Sequence, residues 1–129
     1  MTYPLRKSDQ VRHFTKAMGQ PIEAELTRSL LQLRSRLIYE ESSEVLAELE
    51  SEDVDKAALT KELADLLYVV YGTAITFGLP LDTVFNRVHA SNMSKLGDDG
   101  KPLYRDDGKV LKGPNYQPPE LDDLFDVSV

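Results

Sequence analysis

Residues 38–75, IYEESSEVLAELESEDVDKAALTKELADLLYVVYGTAI, decide the fold of this chain. A short polar stretch, SEDVD, separates two apolar segments, which predicts two helices joined by a turn. Each helix carries an acidic pair spaced three residues apart, Glu41 with Glu44 and Glu62 with Asp65. Because residues three apart lie on one face of a helix, each pair presents two carboxylates about one turn apart.

An antiparallel hairpin of these two helices would bring the two acidic pairs together. In such a hairpin, residues whose numbers have the same sum lie opposite each other. Glu41 and Asp65 give a sum of 106, and so do Glu44 and Glu62. We therefore expect four carboxylates to converge, with Glu40 beside them. Two unit charges about 4 Å apart repel by roughly 4 kcal/mol at an effective dielectric near 20, so the cluster requires protons or bound cations.

The predicted cluster is an all-oxygen site, which suits a hard divalent cation such as Mg²⁺ or Mn²⁺. The alternative is a solvated helix face, which is what most charged helical residues form. The surrounding sequence favours the metal site, because residues 66–81 contain no charged residue and leave little of that helix polar.

The composition excludes several classes of protein. The chain has 129 residues, enough for one domain, and a net charge of −7, which disfavours a duplex nucleic-acid binder. The absence of cysteine excludes disulfides, zinc–thiolate sites and cysteine nucleophiles. The N-terminus has no signal-like apolar segment, and residues 66–81 are too few to span a membrane. We expect a soluble, cytoplasmic protein without a membrane partner.

Apolar periodicity predicts four helices and hence an all-α fold. Ser8 or Asp9 is expected to cap the first helix, and Asp82 the fourth. Gly19 and Gly78 are expected to end the first and third helices. The predicted spans are about residues 8–18, 23–49, 54–77 and 82–94.

Basic side chains on the first two helices have two interpretations. Arg28, Arg34 and Arg36 precede the acidic segment, and we interpret them as a solvated face that balances its charge. His13 lies close to the apolar stripe of the first helix. A histidine in that position is more often a residue packed in the core or at its rim than a ligand, and a nucleotide contact is the alternative.

The end of the fourth helix offers a second group of candidate site residues. Asn92 and Lys95 are three residues apart, so one helix face presents an amide and a cation together. This combination suits a phosphate or a sugar. It also suits any exposed helix end, where a lysine is favoured by the helix dipole.

The last third of the chain contains two copies of Asp-Asp-Gly-Lys, which predict tight turns. Residues 102–105 and 109–112 are expected to pair as a small hairpin, followed by an irregular arm. The lysines Lys101, Lys109 and Lys112 either lie over an anionic ligand or serve solubility. An EF-hand is excluded, because its pattern of spaced acids followed by a glutamate is absent.

The sequence around the acids resembles the all-α nucleoside triphosphate pyrophosphohydrolases, the MazG-like group that includes dimeric dUTPases and phosphoribosyl-ATP pyrophosphohydrolase. The signature of that group is E-x-x-E on one helix and E-x-x-D on the next. It reads EESSE from Glu40 and ELAD from Glu62 in this chain. The segments VFNRVHASNMSK and DGKVLKGPNYQPPEL extend the resemblance over about residues 11–124.

The resemblance implies a single domain built as a four-helix MazG-like bundle, with a C-terminal arm from about residue 96, assembled as a homodimer or homotetramer. It implies Mg²⁺, replaceable by Mn²⁺, held by the four acids, and hydrolysis of a (d)NTP substrate to (d)NMP and pyrophosphate. Glu40, Glu41 and Lys95 are the expected catalytic residues, with Glu40 orienting or deprotonating the attacking water. The residues expected at the nucleotide are Asn92, Lys95, Lys109, Lys112, Tyr116 and, as the alternative to packing, His13.

Three other interpretations remain open at this point. Phosphoribosyl-ATP is an alternative substrate, which the C-terminal arm fits less well, and dUTP, dGTP or a broad range of deoxynucleotides would share the same metal site. A non-catalytic metal-binding helical module is the second alternative. The third, a di-iron bundle, uses Glu-x-x-His, and neither His13 nor His89 lies three residues after a motif glutamate.

Overall fold

A computed structural model of the protein describes residues 6–125, which contain four α-helices and no β-strand. The helices are α1 (Lys7–Ala17), α2 (Arg28–Leu49), α3 (Lys56–Phe77) and α4 (Leu81–Met93). The predicted all-α class is thereby confirmed. The chain divides into two compact units, one ending at Leu79 with α1 to α3, and one beginning at Pro80 with α4 and the C-terminal arm. No single helix in residues 6–125 is long and apolar enough to cross a membrane.

The helices α2 and α3 pack on each other as the predicted hairpin. Asp55 caps α3, because its carboxylate accepts two backbone N–H groups of the first turn at 2.9 and 3.4 Å. The side chain of Glu48 accepts the N–H of Asp55 at 3.2 Å, which ties the loop back to α2. Far from this loop, Gly72 lies against Arg34, another pair whose numbers sum to 106. The register therefore holds along the length of the hairpin.

The second helix starts later than predicted. It begins at Arg28 rather than near residue 23, with Thr27 as its N-cap. The backbone N–H groups of Glu23 and Ala24 instead donate to two carbonyls near the end of α3, at 3.0 and 2.7 Å. Glu23 also has a positive φ of 51°, which a right-handed helix does not allow. Tertiary hydrogen bonds thus replace the helix that local sequence predicts.

Three predicted caps are wrong by two or three residues, because the N-caps are Arg6 for α1 and Pro80 for α4. α1 begins before Ser8, so Ser8 and Asp9 lie inside its first turn. α4 begins at Leu81, so Asp82 also lies inside a first turn. An acidic side chain stabilises a helix from the cap and from the first turn alike, through the N-terminal partial charge, so the sequence signal does not separate the two.

The predicted end of α3 at Gly78 is confirmed. Gly78 is left-handed, with φ 66° and ψ 35°. Its N–H donates to the carbonyl of Ile75 at 3.3 Å, and the N–H of Leu79 donates to Ala74 at 2.8 Å. This is the Schellman arrangement, which satisfies two carbonyls at the helix end and needs a residue without a Cβ.

The helix α1 packs on α3 and covers part of the α2–α3 hairpin. Val11 and Thr15 of α1 are buried, and the ring of Phe14 meets Tyr68 of α3 edge-on, with centroids 5.5 Å apart. The apolar core of the described residues is small. Its members are Val11, Val45, Ala74 and Ile75.

The C-terminal unit contains the predicted small hairpin in minimal form. Tyr104 and Val110 form an isolated antiparallel bridge. The N–H of Arg105 donates to the carbonyl of Lys109 at 2.7 Å. Gly108, with φ 88°, makes the turn between them. The predicted pairing of residues 102–105 with 109–112 is confirmed at this bridge.

Candidate metal centre

The four carboxylates expected to converge do so. One oxygen from each carboxylate lies within 4.8 Å of the corresponding oxygens of the other three. The members of this acidic quartet are Glu41, Glu44, Glu62 and Asp65. Two helices supply two acids each, so the hairpin register alone assembles the cluster. The role of the acids as metal ligands stays a prediction.

Two oxygens of the quartet lack any hydrogen-bond partner among the described residues. They are Oε2 of Glu41 and Oε2 of Glu62, and both are buried. A buried carboxylate oxygen without a partner is costly, so a bound cation or a proton would stabilise this arrangement. The donor set is entirely oxygen, as a hard divalent cation requires, and the residues present therefore fit such an ion.

Proton uptake competes with cation binding in this cluster. The pKa of Glu62 is raised, first by a side-chain hydrogen bond with Glu44 and then by burial. A shared proton is one way for two adjacent carboxylates to avoid repulsion. A divalent cation is the other, and it would displace that proton on binding.

Lys61 is a neighbour of the quartet that sequence reasoning missed. Its ammonium lies 2.7 Å from Oδ2 of Asp65 and 3.7 Å from Oε1 of Glu62. The hydrogen bond with Asp65, followed by the charge of that residue, raises the pKa of Lys61. The signal was present in the sequence, because Lys61 and Asp65 are four residues apart on one helix face.

Two predicted site residues of the N-terminal unit stand apart from the quartet. Glu40 is exposed on α2 and does not belong to the group of four converging carboxylates. His13 is exposed on α1. Their proposed roles, orienting a water and contacting a nucleotide, stay predictions.

Arg34 is not the solvated residue that the sequence predicted. The other two arginines of its group are exposed, but Arg34 is half-buried, and burial lowers its pKa. Its Nε donates to Oγ1 of Thr73 at 3.0 Å, and its Nη2 donates to the carbonyl of Val69 at 2.9 Å. The overlooked signal was the register, which places Arg34 opposite Gly72, where space is available.

In the C-terminal unit, the structure joins the end of α4 to the arm. Asn92 is exposed on the last turn of α4, and Lys95 follows that helix and is half-buried. The carbonyl of Lys95 accepts the N–H of Gly113 at 2.8 Å. A Cβ on Gly113 would lie 2.6 Å from this carbonyl oxygen, so only glycine permits the approach.

The remaining predicted contacts lie on the hairpin and the arm. Lys112 places its ammonium 4.7 Å from the ring centroid of Tyr116, within the range of a cation–π contact. Lys109 is exposed at the hairpin. Their roles toward a nucleotide stay predictions.

Comparison with known families supports a nucleotide hydrolase. A family described as phosphoribosyl-ATP pyrophosphohydrolase matches residues 11–92, which is more than half of the chain. The matched range includes all four acids of the quartet and most of α4. No curated protein matches the sequence significantly.

Proposed function

Because the chain belongs to the phosphoribosyl-ATP pyrophosphohydrolase family, within the all-α MazG-like superfamily, we propose that it hydrolyses the bond between the α- and β-phosphates of a nucleotide. The products are a monophosphate and pyrophosphate. The observation that supports this proposal most directly is the acidic quartet with its two unpartnered buried oxygens.

The four acids would hold Mg²⁺, with Mn²⁺ as a substitute. Bound there, the ion supplies positive charge for the phosphates and lowers the pKa of a water. The chain contributes the rest: α2 and α3 fix the spacing of the four oxygens. Lys61, exposed beside Asp65, neutralises part of the charge when no ion is bound.

The substrate has two candidates. The family match favours phosphoribosyl-ATP. Free nucleoside triphosphates, deoxynucleotides in particular, are the second candidate, because the match ends at residue 92 while an ordered, lysine-bearing arm continues beyond it. Both substrates carry a triphosphate, so the same quartet serves either.

Residues outside the quartet complete the proposal. Asn92, Lys95 and the lysines of the arm would contact phosphate or sugar, and Lys95 would stabilise charge on the transferring oxygens. Glu40 would orient or deprotonate the attacking water. If Glu40→Gln retains both the kcat and the cation affinity of the wild type, Glu40 has no part in the mechanism.

We also propose that the protein is a homodimer or homotetramer. The helices α2 and α3 leave large apolar side chains exposed in the single chain. They include Tyr39, Leu46, Leu49, Leu63 and Leu67. Several such side chains on neighbouring helices are typical of an interface. Sedimentation that shows only a 14.5 kDa species would refute an oligomer.

The test of the activity is a substrate screen. The protein is incubated with Mg²⁺ and, separately, with each dNTP, each NTP and phosphoribosyl-ATP, and the products are resolved by anion exchange. We expect a monophosphate and pyrophosphate from one or a few of these. Glu41→Gln and Asp65→Asn should abolish the reaction, because each removes a charged oxygen ligand.

The matched control is Glu50→Gln, the same chemical change at an exposed position at the end of α2. It should leave the rate unchanged. Survival of every nucleotide with both Mg²⁺ and Mn²⁺, while a calorimetric titration still shows cation binding, would replace the enzyme with a non-catalytic metal-binding module.

A further inference from the structure

A cavity of about 210 Å³ lies between α1, α2 and α3. Its walls are mostly apolar or aromatic and include Phe14, Leu37, Tyr68 and Val69, with Arg34 as the charged group. Pockets that hold a whole drug-sized ligand have volumes of about 300–1,000 Å³. The volume therefore fits part of a nucleotide, such as its base, rather than the whole molecule.

The position of the cavity follows from the hairpin register. Leu37 and Val69 face each other one turn from the quartet, and Arg34 and Gly72 face each other one turn further on. Seven residues separate Arg34 from Glu41, about 10 Å along the helix axis. This distance is comparable to the length of a nucleotide from its 5′ phosphate to the far edge of its base. A nucleotide with its phosphates at the quartet is therefore long enough to reach this cavity with its base.

The chemistry of Arg34 restricts which base the cavity accepts. Two of its nitrogens donate to Thr73 and Val69, and its Nη1 has no hydrogen-bond partner and no carboxylate neighbour among residues 6–125. A guanidinium only donates, so the ligand must supply acceptors. Guanine offers O6 and N7, and uracil and thymine offer carbonyls, whereas the edge of adenine pairs an acceptor with the N6 donor.

Gly72 leaves the space that the guanidinium of Arg34 occupies. An added Cβ would lie 2.6 Å from Nη2 of Arg34. The glycine therefore lets the arginine lie flat against α3 and keeps its remaining donors at the cavity wall. Glycine inside a helix costs about 1 kcal/mol relative to alanine, so its presence needs a local reason, and this contact provides one.

We propose that this cavity is the base subsite of the enzyme and that Arg34 selects bases whose edge presents carbonyl acceptors, guanine or a keto pyrimidine, over adenine. The inference rests on the proposed function and makes it more specific, since it favours free nucleotides over phosphoribosyl-ATP. An adenine that also carries a ribosyl phosphate is larger than the cavity.

The test measures binding, not turnover. The affinities of dGMP, dUMP and dAMP are determined by calorimetry with the full chain in saturating Mg²⁺. We expect the two keto nucleotides to bind about 5- to 100-fold more tightly than dAMP. In Arg34→Met this ratio should fall to about one. The matched control, Arg36→Met, removes an exposed arginine from the same helix and should keep the wild-type ratio.

A second variant keeps the test decisive if Arg34→Met does not fold. Gly72→Ala leaves the arginine present and displaces only the end of its flexible side chain. It should lower the ratio while the circular dichroism spectrum stays native. Equal binding of all three monophosphates by the wild type, or an equal loss for all three in the variants, would overturn the proposal. Because monophosphates undergo no reaction here, a failed hydrolysis screen and a failed selectivity test are distinguishable.

Discussion

Two sites on the α2–α3 seam, about two helical turns apart, differ in how their charges are satisfied. In the acidic quartet, four carboxylates converge and two buried oxygens have no hydrogen-bond partner among the described residues. At the second site, Arg34 is half-buried, but the chain itself supplies a carbonyl and a hydroxyl for its guanidinium. The chain thus satisfies most of the charge of Arg34 through its own groups, whereas it leaves the two buried oxygens of the quartet to a proton or a cation.

The largest expected effect is on cation affinity, which should depend on the quartet and not on Arg34. Asp65→Asn should weaken Mg²⁺ or Mn²⁺ binding by about 100-fold or more, since it removes the charge of a direct ligand, and loss of a mere supporting partner already costs about 10–100-fold. Calorimetric titration measures this. Arg34→Met should bind the cation as the wild type does. A similar loss of cation affinity in both variants would show that the quartet and Arg34 are not independent.

The next effect is on the free energy of unfolding, and here Arg34 is the residue whose substitution should matter. Arg34→Met should lower the free energy of unfolding by about 1–3 kcal/mol, because charged hydrogen bonds that join α2 to α3 are lost. Urea unfolding measures the change. Arg36→Met, on the exposed face, should stay within about 0.5 kcal/mol of the wild type. Equal values for the two variants would show that the bonds of Arg34 contribute nothing to folding.

A smaller effect depends on pH. The folded-state pKa of Glu62 is raised above its ordinary value of 4.5, so its contribution to stability is present below about pH 4.5 and is lost as the pH rises through the folded-state pKa. In EDTA, Glu62→Gln should therefore melt at a higher temperature than the wild type at pH 7, and the difference should shrink toward pH 4.5. Melting curves across this range check the sign.

Excess Mg²⁺ provides the control for that experiment. It should raise the melting temperature of the wild type more than that of Glu62→Gln, because the variant has lost a charged ligand. If the variant melts at a lower temperature than the wild type in EDTA at pH 7, repulsion between the carboxylates does not limit the stability of the ion-free protein.

The smallest expected effect concerns Lys61. Its ammonium lies 2.7 Å from Oδ2 of Asp65, so it would compete with a cation for this oxygen. Lys61→Met should tighten cation binding by about two- to fivefold, the range that exposed ion pairs support. Lys56→Met, an exposed lysine at the start of the same helix, is the control. Weaker binding in Lys61→Met alone would mean that the lysine helps to position Asp65 instead.

The sequence predicted what depends on helix periodicity and register. The quartet followed from the spacing of three residues within each acidic pair and from the antiparallel register, which places the two pairs opposite each other. The start of α2 was not predictable, because the bonds of Glu23 and Ala24 go to the end of α3. Arg34 was interpreted as part of a solvated face that balances the acids, and its contacts with Val69 and Thr73, which distinguish it, are tertiary.

The contact between Gly72 and Arg34 also has a consequence for how this sequence can diverge. An added Cβ at position 72 would lie 2.6 Å from Nη2 of Arg34, so the end of the arginine side chain would have to shift. The two positions are therefore expected to vary together, although 38 positions separate them in the chain. Among relatives, alanine or serine at position 72 should co-occur with a shorter residue at position 34. Lineages that cross between the two states should pass through the glycine, because shortening the arginine first only opens space, whereas enlarging the glycine first displaces the guanidinium from its hydrogen bonds.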